Sequence, residues 1–269
     1  MNSIKKNIYS VSYNILNKIN ELKDIHKGES CYIIGDGISL KWFDLEKFND
    51  KVSISTGLLP FHNDFDKINT EYCLLTEPFW FLPFHKTTVP PIKYIRNRIQ
   101  KEYRKIINNK VDKQFIVNLS NYFLLKRKNV KFIFQDIPGS ELVSHFLSKG
   151  LDPFAGSART SILFAIHLGF KQAHLVGFDY THSPGKSHHW YEKGEGVEFD
   201  QKNYNEIFFS IANEYIDLTT VTLNGKSNAM NYVLYEQLTN DQPLFVENHQ
   251  LIDNKYLEAL SAWPDYNIY

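Results

Sequence analysis

The residues best equipped for chemistry fall in one run, Asp152 to Trp190: DPFAGSARTSILFAIHLGFKQAHLVGFDYTHSPGKSHHW. Its second half holds Asp179, His182, Lys186, His188 and His189 in a polar loop. A loop histidine titrates near neutrality and suits removal of a proton from a hydroxyl. Its first half opens a helix at Gly156 and Ser157, with Ser157 placed to act as N-cap. Such a helix N-terminus receives a phosphate or a carboxylate. A proton acceptor beside a phosphate site is compatible with group transfer by direct displacement, in which N–H groups, hydroxyls and Lys186 or Arg159 would stabilise a leaving phosphate. Asp179, His182, His188 and His189 also invite a metal reading, but adjacent histidines cannot share a helical face and the spacing is poor for zinc. The plain alternative for the histidine pair is a surface loop that binds nothing.

Positioning these groups takes a framework of strands and helices. Ile162, Leu163, Ala165 and Ile166 put an apolar face on a helix of roughly 158–168, and Gly169 stands where a left-handed C-terminal residue is wanted. A short apolar strand, 173–176, ends at Gly177 and delivers the histidine loop. The first strand, 30–34, runs into Gly35-Asp36-Gly37-Ile38-Ser39. The glycines of that turn let the backbone approach a ligand, while Asp36 and Ser39 offer hydrogen bonds. The third glycine of the dinucleotide fingerprint is missing, and no P-loop lysine follows. Strands at 52–56 and 72–76 end on Thr56 and on Thr76-Glu77, and further strands are predicted at 130–134 and 221–223. After the last, Asn224 and Ser227 are expected to aim donors into the same cleft. Helices are expected at 41–48, 141–149, 204–215 and 229–238. Parallel βαβ connectivity gathers the strand ends on one edge. The predicted fold class is therefore α/β: a Rossmann-like, mostly parallel sheet with helices on both faces.

Residues 1–27 read as an amphipathic N-terminal helix, apolar at Ile4, Ile8, Val11, Ile15, Ile19 and Leu22 among Lys5, Lys6, Lys18 and Lys23. That leaves 28–269 as a single Rossmann-like nucleotide-binding domain with a basic helical insert, or lid, at about 79–129. Between 93 and 131 the chain carries twelve Lys or Arg against Glu102 and Asp112, a local +10 in a chain of zero net charge. Overall neutrality gives no case for nucleic-acid binding. The basic stretch reads first as a solvated face and second as a surface for an anionic acceptor or membrane. Cys31 and Cys73 lie in apolar strands and read as buried reduced thiols. With no signal-peptide core and no span-length apolar run, the expected location is the cytoplasm, with the inner face of the membrane open to the basic segments. A homo-oligomer is compatible with the N-terminal helix.

Two stretches, IIGDGISL at 33–40 and GSARTSILFAIHLGFKQAHLVGFD at 156–179, resemble the bacterial CMP-sialic-acid-dependent sialyltransferases of glycosyltransferase family 42. Those have a strand followed by a G-N-G-P-S-L turn, a T-S-G helix start and an A-L-G-Y-K…G-I-D-F segment. With FDYTHSPGKSHH, the same stretches also resemble the related domain of motility-associated flagellin glycosyltransferases. The resemblance covers about a third of the chain. It implies a modified GT-A-like fold that takes a nonulosonic-acid sugar from a CMP-activated donor to a cell-surface glycan, inverting, with the CMP-sugar as substrate and no metal cofactor. It further implies that Gly35, Asp36 and Gly37 lie against the cytidine phosphate. Thr56 and Glu77 would contact sugar or ribose, Gly156 and Ser157 would hold phosphate or donor carboxylate, and His188 or its neighbour His189 would be the base. Asp36 stands where the family has Asn, Ile38 where it has Pro, and Thr56 and Glu77 where it has asparagines. An aspartate facing a phosphate is unfavourable unless it meets ribose, a base amine or a cation.

Two other functions remain at this level. A Mg²⁺-dependent nucleotide pyrophosphokinase would use Asp36, Glu77 and Asp179 as its carboxylates. A non-catalytic glycan-assembly or membrane scaffold would use the basic helices.

Overall fold

In the computed structural model, residues 3–78, 80–81, 90–200, 205–263 and 265–269 are described. The side chains of Ile4, Lys5, Lys6, Ile8, Lys93, Tyr94, Ile95 and Arg96, named above, lie outside the described residues.

Six strands come first: β1 (Ser30–Ile34), β2 (Val52–Thr56), β3 (Thr70–Leu75), β4 (Gln114–Asn118), β5 (Val130–Ile133) and β6 (Gln172–Val176). A small antiparallel pair, β7 (Gly185–Lys186) and β8 (Glu198–Phe199), follows, then β9 (Asp217–Thr222) and β10 (Asn231–Leu234). Eight of them form one sheet in the order β10-β9-β6-β1-β2-β3-β4-β5, every neighbouring pair parallel. The central strands are apolar on both faces, as SCYII and QFIVN show, because both faces are covered. The predicted fold class is the one observed.

Nine helices are described: α1 (Ser3–Leu16), α2 (Pro90–Asn109), α3 (Tyr122–Leu125), α4 (Glu141–Ser148), α5 (Ser157–Leu168), α6 (Glu206–Ala212), α7 (Tyr235–Thr239), α8 (Asn248–Leu251) and α9 (Asn254–Leu260). On one face α4, α5 and α6 pack with Ile33, Ile54, Leu74 and Ile116. On the other, α2, α7, α8 and α9 pack with Ile34, Leu75, Phe115 and Val117. From β1 the chain runs outward through β2 to β5 and then returns to β6 on β1's other side. The β1/β6 boundary is thus a topological switch point, where the loops diverge and leave a crevice.

Several expectations need correction. The stretch read as a helical insert, 79–129, contains β4, an interior strand of the sheet, because Phe115, Ile116 and Val117 are needed to fill both faces. The helix expected at 41–48 is two short 3₁₀ turns, Ile38–Trp42 and Leu45–Phe48. The one expected at 229–238 is β10 followed by α7, since Asn231–Leu234 completes the sheet edge. The N-terminal helix ends at Leu16, and Asn17–Leu22 continues as a 3₁₀ turn whose Ile19 is buried. Residues 24–28 are then tied by backbone hydrogen bonds to His167, Leu168 and Gly169 at the end of α5. Both cysteines are buried and free, as read.

Candidate functional site

The site begins with close backbone approach at the switch point. Gly35 N–H donates to Val176 O and Gly37 N–H to Gly177 O, both at 2.8 Å, so the β1 and β6 ends are stitched together. A Cβ on Gly37 would lie 2.5 Å from both Gly177 O and an Asp179 oxygen, which only glycine avoids. A cavity of about 570 Å³ opens above this seam, within the size range of small-molecule sites.

Its floor is the strand ends: Asp36 and Gly37 after β1, Thr56 to Leu58 after β2, Thr76 to Pro78 after β3, and Gly177 to Tyr180 after β6. One wall is Phe154, Gly156 and Ser157, at the start of α5. The opposite wall is His188, His189 and Tyr191, with Trp80 and Tyr266. The walls belong to helices and loops packed on opposite faces of the sheet: Phe154 and Ala158 with one core, Trp80 and Tyr191 with the other. Lys186, Ser187 and Phe199 of the β7–β8 hairpin border the cavity. Of the residues named from the sequence, Asp36, Gly37, Thr56, Glu77, Gly156, Ser157, Asp179, Lys186, His188 and His189 all meet here.

The others do not. Gly35 lies beneath the cavity, where a Cβ would sit 2.6 Å from Gly177 O. Ser39 is buried, and its N–H donates to Asp179 Oδ2 at 2.9 Å. Arg159 is spent on Asn205 Oδ1 at 2.8 Å and Asp152 O at 3.1 Å, with its guanidinium over Phe208. Ser227 Oγ donates to Thr181 O at 2.7 Å and Asn224 is exposed; neither lines the cavity, because the strand they follow, β9, lies two places from β1 in the sheet. Ser157 is not the N-cap of α5: Gly156 holds that position at φ +87°, and no side chain caps the helix. The first-turn N–H groups are therefore left for a ligand or water.

Asp36 does not face a ligand with a spare oxygen. Leu58 N–H donates to its Oδ2 at 2.9 Å and Trp190 Nε1 to its Oδ1 at 3.1 Å. Burial pushes its pKa up against those hydrogen bonds and the nearby His189. Gly57, at φ +58°, is what admits the carboxylate: a Cβ there would lie 1.8 Å from Oδ2. Asp36 is thus a brace linking the β1 turn, the β2 end and the histidine loop. Asp179 differs. Its Oδ1 is buried without a protein partner, and burial raises its pKa to about 6 despite Ser39.

The histidine loop is built around a residue the sequence reading missed, Glu192, whose side chain is only 2% exposed. His189 Nδ1 lies 2.7 Å from its Oε1, which also accepts the His189 backbone N–H at 2.9 Å. His188 Nδ1 lies 3.2 Å from Oε2. A carboxylate three and four residues after a histidine pair, as in His188-His-Trp-Tyr-Glu192, is a signal the sequence did offer. His189 is also paired through its backbone with Gly37 and stacked on Tyr191 at 5.0 Å. Burial would lower the His189 pKa, but the Glu192 hydrogen bond, with Asp36 and Asp179, outweighs it and the net shift is upward. With Nδ1–H donating to Glu192, Nε2 is the nitrogen that carries the lone pair. Tyr266 and Trp80 had no local signal; they reach the cavity from distant segments.

Among the described residues no group of three His, Cys, Asp or Glu side chains is arranged to hold a metal, and no helix is long and apolar enough to cross a membrane. The basic stretch is partly internal, since Arg104 donates to Phe81 O and the buried Lys131 pairs with Glu21 at 2.6 Å, while Arg98 and Lys105 form surface pairs with Glu258 and Glu102.

No family model matches the chain, and no curated protein matches it. Among solved structures it is similar to the sialyltransferase CstII from Campylobacter jejuni in complex with the substrate analogue CMP-3FNeuAc, with a TM-score of 0.45 and 12% identity over 87% of this chain and 99% of that one. A second structure of that enzyme, with cytidine-5'-monophosphate, gives 0.43 and 15% over 88% and 98%. A structure of the sialyltransferase CST-II with a trisaccharide acceptor and CMP gives 0.43 and 13% over 87% and 99%.

Proposed function

We propose that this chain is a glycosyltransferase that moves a nonulosonic-acid-type sugar from a CMP-activated donor to a glycan hydroxyl, with inversion. The observation that carries the reading is the pairing of two opposed walls: the uncapped N-terminus of α5 on one side and the Glu192-anchored His189 on the other. In the transfer, the acceptor oxygen bonds to the anomeric carbon as the bond from that carbon to the phosphate oxygen breaks. The hydroxyl proton goes to His189 Nε2, and CMP departs with the electron pair. Displacement in line needs the attacking and leaving groups on opposite sides of the reacting carbon, and a base wall facing a phosphate wall supplies that arrangement. The α5 N–H groups neutralise the leaving phosphate, while Lys186, which borders the cavity, faces Glu198 at 3.7 Å and lies over Trp42. The motif resemblance at 33–40 and 156–179 supports CMP as the nucleotide.

CMP without divalent metal is expected to stabilise the protein by about 2.7 kcal/mol at a hundredfold excess over its dissociation constant, read as a thermal shift. No shift with CMP and a clear one with ATP and Mg²⁺ would turn the reading to a pyrophosphokinase.

Phe123 is 92% exposed on α3 and is followed by the exposed Lys126, Arg127 and Lys128, an apolar-basic combination that fits an anionic membrane surface. Phe123→Asp with Lys126→Glu and Arg127→Glu is expected to abolish sedimentation with phosphatidylserine vesicles, and added salt to weaken it in the parent. Equal sedimentation of both proteins returns the patch to plain solvated surface.

A further inference from the structure

The loop from Ser187 to Gly194 has little secondary structure of its own, yet Glu192 is buried with both oxygens aimed at imidazoles. The segment 247–268 supplies what the loop lacks. Asn248 is buried and donates through Nδ2 to Tyr191 O at 3.0 Å and to Ile268 O at 3.1 Å. Asn267 N–H donates to Glu192 Oε2 at 2.9 Å, and Asn267 O accepts from Lys193 N–H at 2.6 Å. Lys41, whose side chain is fully buried, pairs with Glu247 and donates to Glu192 O at 2.9 Å and Gly194 O at 2.7 Å. Glu247 in turn accepts the Gly194 N–H at 3.1 Å. Tyr266, stacked on Trp263, makes T-shaped contacts with His189 and Tyr191. These bonds converge on the histidine loop and on the segment that braces it.

We propose that Asn248, together with the Lys41–Glu247 pair and the backbone of Asn267, forms a positioning element that fixes Glu192 between His188 and His189. The proton affinity of His189 is then set by residues 53 to 75 positions further along the chain than those they hold, with Lys41 reaching in from 151 positions before Glu192. A carboxylate hydrogen-bonded to an imidazole stabilises the imidazolium, and a displaced one does so much less, because attraction falls with distance and water intervenes. The groups facing His189 are Glu192 and Tyr191 of its own loop, Asp36 after β1, Asp179 after β6 and Tyr266 from the distal segment, with His188 on the other oxygen of Glu192 and Lys41 behind it. Asp179 is held at its strand end by Ser39, and Asp36 by Leu58 together with Trp190 of the loop. Loosening the distal segment therefore acts directly on Glu192, and on Asp36 only through Trp190.

The kinetic consequence rests on His189 being the base of the proposed transfer; the physical one does not. The test is an NMR titration of the His189 ring, assigned by its loss in His189→Ala. It compares the parent, Glu192→Gln, Asn248→Ala and a deletion of residues 267–269. Glu192→Gln sets the full downward shift, and Asn248→Ala and the deletion are each expected to reach roughly half of it or more, with CMP affinity by calorimetry unchanged. A folded Asn248→Ala or a folded deletion in which His189 titrates as in the parent overturns the proposal. If Asn248→Ala does not fold, the deletion decides, since it keeps Asn248 and the Lys41–Glu247 pair in place. Failure of CMP to bind any of these proteins sinks the transferase reading and leaves the titration result standing.

Discussion

His189→Ala is expected to lose roughly two to four orders of magnitude in turnover, the usual worth of a positioned general base. CMP affinity should stay within a few-fold of the parent, because the imidazole faces the acceptor side and the nucleotide is held by the other wall. The control is His188→Gly. His188 sits at φ +78°, where a glycine carries no steric penalty, so the imidazole is removed without straining the loop. Its looser 3.2 Å contact with Glu192, against 2.7 Å for His189, predicts a modest change. The pH profile adds a second check. A base must be neutral, and the Glu192 contact helps lift the His189 pKa above its ordinary 6.5, so the acidic limb of turnover should fall above that value. Glu192→Gln should bring the limb down. Turnover lost with His188→Gly and kept with His189→Ala would exchange the two assignments, and activity kept in both would remove the loop from the mechanism.

The assignment shows where the sequence was informative. Gly156, Asp179 and the histidine pair were legible because each follows a local rule: a helix start, a strand end, a polar loop between apolar runs. The parallel sheet was legible for the same reason, since buried strands read as continuous apolar runs. The wrong readings came from positions whose outcome depends on distant partners. Gln114–Asn118 sits in a basic, helix-patterned stretch, and only the need to extend the sheet past β3 makes it a strand. Asn224 and Ser227 follow a strand as the other site residues do, but β9 lies two places from β1, and Ser227 is taken by Thr181. Asp36 lies at the cavity floor, yet its partners, Trp190 and the Leu58 N–H, come from other segments. Glu192 had a local signal in its spacing from the histidines. What fixes it, Asn248 and Asn267, had none.

Asp179→Asn is expected to stabilise the protein by about 3 kcal/mol at pH 8 while weakening CMP binding. The carboxyl is buried, one oxygen accepts the Ser39 N–H and the other has no protein partner, so burial outweighs Ser39 and the pKa rises from 3.8 to about 6. Below pH 3.8 the group is protonated in both folded and unfolded chains and contributes no difference. Between pH 3.8 and 6 the folded chain keeps the proton that the unfolded chain has lost, so parent stability falls as pH rises through that window. Above pH 6 the full penalty is in place. Asparagine is neutral throughout and keeps an oxygen for Ser39, so the gap between variant and parent should be near zero at pH 3.5, open through pH 5 and level off by pH 7. Denaturant melts at those pH values measure it directly. A buried carboxylate retained at such a cost is expected to serve the ligand, here by accepting a donor hydrogen from the nucleotide at its unpartnered oxygen. A stabilised variant with undiminished CMP affinity would make Asp179 a brace like Asp36. A variant no more stable than the parent at pH 8 would mean that the carboxyl is better solvated than its surroundings indicate.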